Sequence, residues 1–276
     1  MTTVGIVTGA GRGMGLACAK RLTGAVDVLL LVDRDEATAQ AAAAELAGGR
    51  AAVEAFVLDV TDTDGLARLA ARTAELGTLR AVAHAAGISP TMADWRRILT
   101  VDLVATAQLA EALRPLAVEG TAFTCFASMA PLLDPSQPDP AAIAVLDDPL
   151  APDFPDRLRE VVGPGLEDTG YAYTWAKRGV HRFVKYEAVR LGAARARICS
   201  ISPGTIETPQ QIQEAAAHPS IQKLIDTTPL GRLGQADEVA GVVAFALSDD
   251  ASFLNGIDLL VDGGVLAAVQ LAAAAR

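Results

Sequence analysis

Val4-Gly5-Ile6-Val7-Thr8-Gly9-Ala10-Gly11-Arg12-Gly13-Met14-Gly15-Leu16-Ala17-Cys18 is the stretch that decides the fold. An apolar run ends at Thr8, a glycine loop follows, and a helical pattern starts at Gly13. Glycines at such a junction permit a tight turn and close approach of the backbone to a pyrophosphate. The helix N-terminus adds unpaired N–H groups and the positive end of a dipole. The pattern is T-G-x-x-x-G-x-G rather than G-x-G-x-x-G, but it lies between a strand and a helix, where such a loop works. Gly9, Gly11, Arg12, Gly13, Met14 and Gly15 are therefore candidate cofactor-binding residues.

The same rhythm continues downstream. Strands are predicted at 28–32, 52–58, 79–83, 122–127, 197–202 and 258–261, and helices at 36–46, 62–76, 93–113, 171–191 and 235–247. The strands are near-continuously apolar, as in a parallel sheet covered on both faces. The β-α-β-α order predicts an α/β fold. It is a single doubly wound, Rossmann-type domain over 1–276, with about seven parallel strands and helices on both faces. Aromatics are only 4% of the chain, so its core must be built from Ala, Val, Leu and Ile.

Asp33 ends the second strand, 18 residues after Gly15. A carboxylate there accepts hydrogen bonds from the adenosine ribose hydroxyls and repels a 2′-phosphate. One close like-charge pair costs up to about 4 kcal/mol at an effective dielectric near 20. The expected cofactor is therefore NAD. Arg12 and Arg34 argue the other way, since either can bind a phosphate. Asp59 and Val60 are expected to flank the adenine.

The net charge of −10 excludes nucleic-acid binding through a basic face. Much of it lies in an insert at 131–170, with 9 acidic and 2 basic residues and 8 of the 14 prolines. The insert is a solvated excursion, a lid or an element that alters subunit packing. Its centre, 155–162, has the pattern of a short helix. Cys18, Cys125 and Cys199 form no C-x-x-C, and His84, His181 and His218 have no metal-ligand spacing. The histidines are read as core or surface residues, and no metal is expected. With no apolar run near 18 residues and no signal core, a cytoplasmic protein without membrane attachment is expected.

Several motifs then stand in order: the glycine loop, Tyr173-Thr174-Trp175-Ala176-Lys177 as Y-x-x-x-K, and Pro203-Gly204-Thr205-Ile206-Glu207-Thr208 as P-G-x-x-x-T. Phe126-Ala127-Ser128-Met129-Ala130, Pro229-Leu230-Gly231-Arg232 and Val261-Asp262-Gly263-Gly264 complete the set. From about Thr3 to Gly264 the chain resembles the short-chain dehydrogenase/reductase family. The resemblance implies Ser128, Tyr173 and Lys177 as catalytic residues. It implies Pro203, Gly204, Ile206 and Thr208 as the nicotinamide segment, and Ala85, Ala86 and Gly87 as backbone near the cofactor.

Two departures are visible. The family's N-N-A-G is His84-Ala85-Ala86-Gly87 here, and its V-N-L is Val101-Asp102-Leu103. The family's Asn supports a water link to the lysine. The chain's only Asn is Asn255, so Asp102 is counted with the catalytic residues, as an acceptor lacking the amide's donor. Ser128 and Tyr173 are 45 residues apart, an unusual gap. The arrangement is similar to the bacterial 3α-hydroxysteroid dehydrogenase/carbonyl reductase subgroup, whose helical insert is associated with dimers. A homodimer or homotetramer is expected.

Tyr173 and Lys177, spaced i, i+4, share one helix face. A free phenol titrates near 10, too high for a base at neutral pH, and an adjacent ammonium favours the phenolate. Tyr173 and Lys177 thus also bear on the cofactor, Lys177 through the nicotinamide ribose. Ser128 would polarise the substrate oxygen while Tyr173 moves the proton. Tyr171 lacks this partner, since Trp175 stands four residues on.

The function expected is an NAD(H)-dependent oxidoreductase of a secondary alcohol or ketone, alicyclic or steroid-like. The alternatives are an NADPH-dependent 3-oxoacyl or carbonyl reductase and a catalytically silent dinucleotide-binding sensor. Substrate contacts are expected from 89–95, from the insert and from 207–229. In the last, Ile212, Ile221, Leu224 and Ile225 form an amphipathic lid or an ordinary packed helix. The tail 266–276 docks on a partner subunit or frays.

Overall fold

The computed structural model describes residues 1–134, 136–208 and 219–275. Elements run β1 (Thr3–Thr8), α1 (Gly13–Leu22), β2 (Val28–Asp33), α2 (Glu36–Leu46), β3 (Ala52–Val57), α3 (Thr63–Leu76) and β4 (Thr78–His84). Then come α4 (Trp95–Leu99), α5 (Ala105–Leu113), β5 (Ala122–Phe126), α6 (Ala130–Leu133), α7 (Pro140–Leu146), α8 (Phe154–Val162), α9 (Thr169–Gly192) and β6 (Arg197–Pro203). The last are β7 (Ile206–Glu207), α10 (Pro219–Thr227), β8 (Gly234–Gln235), α11 (Ala236–Leu247), β9 (Asp258–Val261) and α12 (Val265–Ala274).

Seven strands pair in parallel in the order β3-β2-β1-β4-β5-β6-β9, and β7 and β8 pair separately. The order reverses direction beside β1, between β1 and β4, which opens a crevice at the strands' carboxyl ends. One face of the sheet is covered by α3, α5 and α9, with Leu66, Leu69, Leu109, Leu113, Val180 and Val184 buried. The other is covered by α1, α2 and α11, with Cys18, Leu22, Ala42, Val239 and Val243 buried. Both faces of each central strand are thus enclosed, which is why those strands are apolar throughout.

The single helix expected over 93–113 is instead three pieces. Asp94 caps its start, accepting the Arg97 N–H at 2.8 Å, and α4 then runs into a π-helical turn over Thr100–Val104 before α5. A π turn carries an extra residue and re-aims the side chains it holds. Here it buries Val101, Asp102 and Leu103.

The short helix expected at the insert's centre, 155–162, is present as α8, Phe154–Val162, and the insert is not a solvated excursion. It forms α6, α7, α8 and a 3₁₀ turn at Pro164–Glu167, and Phe154, Leu158 and Leu166 are fully buried. Its acidic residues meet arginines of the body. Asp147 holds Arg182 at 2.5 Å and accepts from Tyr186 Oη at 2.9 Å, Asp134 holds Arg178 at 2.8 Å, and Asp156 pairs with Arg96. The charge concentrated in this segment serves to pack it on α4 and α9.

The tail forms α12 rather than fraying along its length. Asp262 caps it, accepting the N–H groups of Gly264 and Leu266 at 2.8 Å each. Gly263 and Gly264 turn the chain with φ of +65° and +90°, where a side chain would be strained. The three cysteines are buried and unpaired, and burial pushes Cys18 and Cys125 up to about 12. Among the described residues, no helix is long and apolar enough to cross a membrane.

Candidate active site

Two adjoining clefts, of about 230 and 550 Å³, open at the carboxyl ends of the strands. The smaller lies over the glycine loop. A Cβ on Gly15 would stand 2.0 Å from the Gly9 carbonyl oxygen, and one on Gly9 would meet Ala86 N at 2.9 Å. The N-terminus of α1 is therefore pressed against the loop, leaving room above it for a bulky anion. Gly9, Arg12, Gly13, Met14, Gly15, Asp33, Arg34, Asp59, Val60, Ala85, Ala86, Gly87 and Thr208 all border this cleft.

Gly11 does not border it. Its N–H donates to Asp33 Oδ2 at 2.9 Å, and a Cβ there would crowd that same oxygen. The Asp35 N–H donates to Asp33 Oδ1 at 3.1 Å. Two backbone donors thus fix the carboxylate on the cleft wall, with lone pairs left over. Arg12 and Arg34 are exposed and, among the described residues, pair with no carboxylate. Arg97 was not anticipated from sequence. It lines the cleft and holds Asp59 at 2.7 Å, and no motif links two residues 38 apart.

The larger cleft collects Ser128, Tyr173, Lys177, Pro203, Gly204, Ile206 and Thr208. The Ala130 N–H donates to Ser128 Oγ at 3.1 Å. Lys177 is 4% exposed, so its ammonium is largely out of water. Its Nζ donates to the Phe126 carbonyl at 3.0 Å and stands 5.5 Å from the Tyr173 ring centre. The walls are apolar at Ile88, Pro90, Met129, Leu133 and Leu224, and polar at Asp168, Thr169 and Thr174. Asp168 and Thr169 lie in the insert, from which substrate contacts are expected, whereas Thr174 falls outside the expected regions. Of the expected lid residues, Leu224 reaches this cleft and Ile225 does not. Ile212, His218 and the side chain of Ile221 lie outside the described residues. Trp175 is a packing residue, 4% exposed, with Tyr171 edge-on to it at 6.1 Å.

Asp102 borders neither cleft. It lies behind Gly87, where a Cβ would stand 2.9 Å from Asp102 Oδ1 and 3.5 Å from Lys177 Nζ. Oδ1 accepts the Ile88 N–H at 2.9 Å and lies 3.7 Å from Lys177 Nζ.

His84 is a core histidine. Ala86 N–H donates to Thr8 Oγ1, which stands 2.7 Å from Nδ1; Nε2 stands 3.0 Å from Thr106 Oγ1, which donates to the Asp102 carbonyl. That chain of donors assigns a neutral ring protonated at Nε2. Burial, and then the charge of Lys177, push it down to about 3. An unfolded imidazole titrates near 6.5. The stability this contributes is complete above 6.5 and is lost as pH falls from there toward 3, because only the unfolded chain takes up the proton. At pH 5 the loss is about 2 kcal/mol. Thermal melts at pH 7.5 and 5 should show a smaller drop in His84→Gln than in the wild type. Equal drops would contradict this account.

His181 Nε2 meets both Ser202 Oγ at 2.8 Å and Asp258 Oδ1 at 3.3 Å. Both partners share one nitrogen, so no serine–base–acid relay runs through the ring.

Comparison with known proteins bears on these clefts. A family model described as short chain dehydrogenase matches residues 3–122, and one described as Enoyl-(Acyl carrier protein) reductase matches 160–266. The chain is 32% identical to the short-chain dehydrogenase/reductase bsc3 of Alternaria brassicicola over 95% of each protein. It is 30% identical to cyclohexanol dehydrogenase of Acinetobacter sp. (strain SE19), covering 94% of this chain and 93% of that protein. A solved short-chain type dehydrogenase/reductase from Mycobacterium ulcerans superposes with a TM-score of 0.76 at 25% identity, over 96% of this chain and 90% of that one.

Proposed function

The chain belongs to the short-chain dehydrogenase/reductase family, an oxidoreductase of CH–OH groups using a nicotinamide cofactor, and from that premise we propose that it works with NAD(H) on an uncharged secondary alcohol or ketone of alicyclic or steroid-like shape. The observation that carries the proposal is Ser128, Tyr173 and Lys177 in one cleft adjoining the glycine cradle. When bound, the nicotinamide supplies or takes the hydride. Gly9, Gly13, Met14 and Gly15 accept the pyrophosphate against α1, and Ile206 and Thr208 hold the carboxamide end. Ser128 Oγ holds the substrate oxygen, and Tyr173 Oη takes the alcohol proton in oxidation or returns it in reduction. The Lys177 ammonium favours the phenolate. Two of its three donor positions remain after the Phe126 carbonyl, enough to reach a ribose hydroxyl.

The substrate reading rests on the walls. Among the described residues, Lys177 is the only basic one lining the larger cleft, and it is buried. Residues 209–218 contain no Lys or Arg. Asp168 adds a carboxylate. A substrate with a carboxylate or phosphate tail would lack a counter-charge, whereas a ring alcohol fits the apolar wall. The similarity to cyclohexanol dehydrogenase supports the same class. NADH formation across a panel of cyclic, steroidal and acyl-chain alcohols, with Tyr173→Phe as control, tests this. Preference for a charged acyl substrate would defeat it.

NAD is favoured by the fixed Asp33 carboxylate. The reading with NADPH draws on Arg12 and Arg34, which among the described residues pair with no carboxylate and border the same cleft. Asp33→Ala should shift the NAD/NADP ratio of kcat/KM by about tenfold or more toward NADP, since a like-charge repulsion is removed. An unchanged ratio would sink the assignment. Oligomerisation is common in the family, and a homodimer or homotetramer is proposed here.

A further inference from the structure

Asp102 holds a buried carboxylate oxygen with nothing bonded to it. Among the described residues Oδ2 is the only buried side-chain nitrogen or oxygen without a hydrogen-bond partner. Every group near the other oxygen is a donor: the Ile88 N–H at 2.9 Å and the Lys177 ammonium at 3.7 Å. A protonated carboxyl needs an acceptor for its O–H, and neither oxygen has one. The two contacts on Oδ1 therefore favour the ionised form, which Lys177 and the amide hold against its burial.

The other groups bearing on the lysine do not supply this charge. His84 on β4 is neutral through its two threonine partners, and Cys125 on β5 is a buried thiol held at about 12. On α9 itself, Arg178 is paired with Asp134, and Asp168 borders the cleft at the helix start, its Oδ1 bonded to the Tyr171 N–H. Burial pushes the Asp102 carboxyl up, and Lys177 and Ile88 oppose this. Among the described residues, Asp102 is thus the only carboxylate set directly behind the lysine that faces Tyr173.

We propose that Asp102 is a charge-balancing residue: it cancels part of the Lys177 charge felt by Tyr173 and so sets the pH at which the tyrosine changes from acid to base. The proposal deepens the function above and rests on Tyr173 being the proton carrier. Asp102 borders neither cleft, so its action is through Lys177. With the carboxylate present, the phenol keeps its proton to a higher pH, and the enzyme stays a competent reductase there. Without it, the full ammonium charge favours phenolate.

Asp102→Asn keeps an oxygen for the Ile88 N–H and removes only the charge. In pH profiles of kcat/KM for alcohol oxidation, its midpoint should fall by about one pH unit relative to the wild type. Oxidation near neutrality should rise, and the reduction profile should fall off at correspondingly lower pH. A midpoint unmoved or raised, with activity lowered equally at all pH values, would mean that Asp102 only supports the fold and would overturn the proposal. If the variant does not fold, the infrared spectrum of the unmodified enzyme at pH 8 decides. No protonated-carboxyl band is expected, and such a band overturns the proposal. Activity surviving in Tyr173→Phe would instead strike the function itself, so the two failures are distinguishable.

Discussion

Tyr173→Phe should lower turnover by about 10³-fold in both directions while leaving NADH affinity nearly unchanged. The substitution deletes one oxygen and keeps the ring. The ring sits on α9, with Lys177 Nζ 5.5 Å from its centre, so the helix face and the lysine stay in place. What is lost is the hydroxyl that, in the function proposed, exchanges the proton near neutral pH. Ser128 cannot replace it, because a serine hydroxyl is far too weak an acid to exchange protons at that pH. The measurement is steady-state NADH formation beside a fluorescence titration with NADH. Turnover within about tenfold of the wild type would remove Tyr173 from the chemistry.

The second large effect is expected at Gly15→Ala. Its added methyl would lie 2.0 Å from the Gly9 carbonyl oxygen, a backbone atom at the turn, with Gly9 itself at φ +65° and pressed on Ala86. Neither side can yield without moving α1 off the loop. Cofactor affinity should fall by about 100-fold, since the helix N-terminus no longer meets the phosphate path. Overpacking of this kind also costs about 1–3 kcal/mol, a fall in Tm of several degrees. Gly24→Ala, where nothing lies within 4 Å, is the control and should change neither quantity. NADH titration and thermal melts read both. Wild-type affinity in Gly15→Ala would mean that the loop does not cradle the cofactor.

Much of this was legible from local pattern. The glycine loop, the Tyr173–Lys177 spacing and the alternation of strands and helices are short-range signals. A backbone turn, a helix face and a doubly covered strand each leave their mark within about ten residues. α1, α2 and β9 fall where the periodicity puts them. Where the structure goes beyond or departs from local pattern, the reason is a shared one. The helix over 93–113 has continuous helical pattern, and the π turn within it answers to packing against α9. The insert's acidic, proline-rich composition leaves solvation and packing both open, and the fold decides between them by bringing Arg96, Arg178 and Arg182 to its carboxylates.

By itself, then, the sequence determined the doubly wound sheet, the glycine loop between β1 and α1 and the placing of Tyr173 and Lys177 on one helix face, since these follow from residue type and spacing. Only the tertiary structure decided that Gly11 serves Asp33 rather than the cleft, that Arg97 closes on Asp59, that the insert is packed, and that Asp102 stands behind Lys177 with one oxygen unbonded. Each of these joins residues far apart in the chain. No periodicity records such a pairing; burial creates it, by removing water and leaving each charge to the partner that the fold brings within reach.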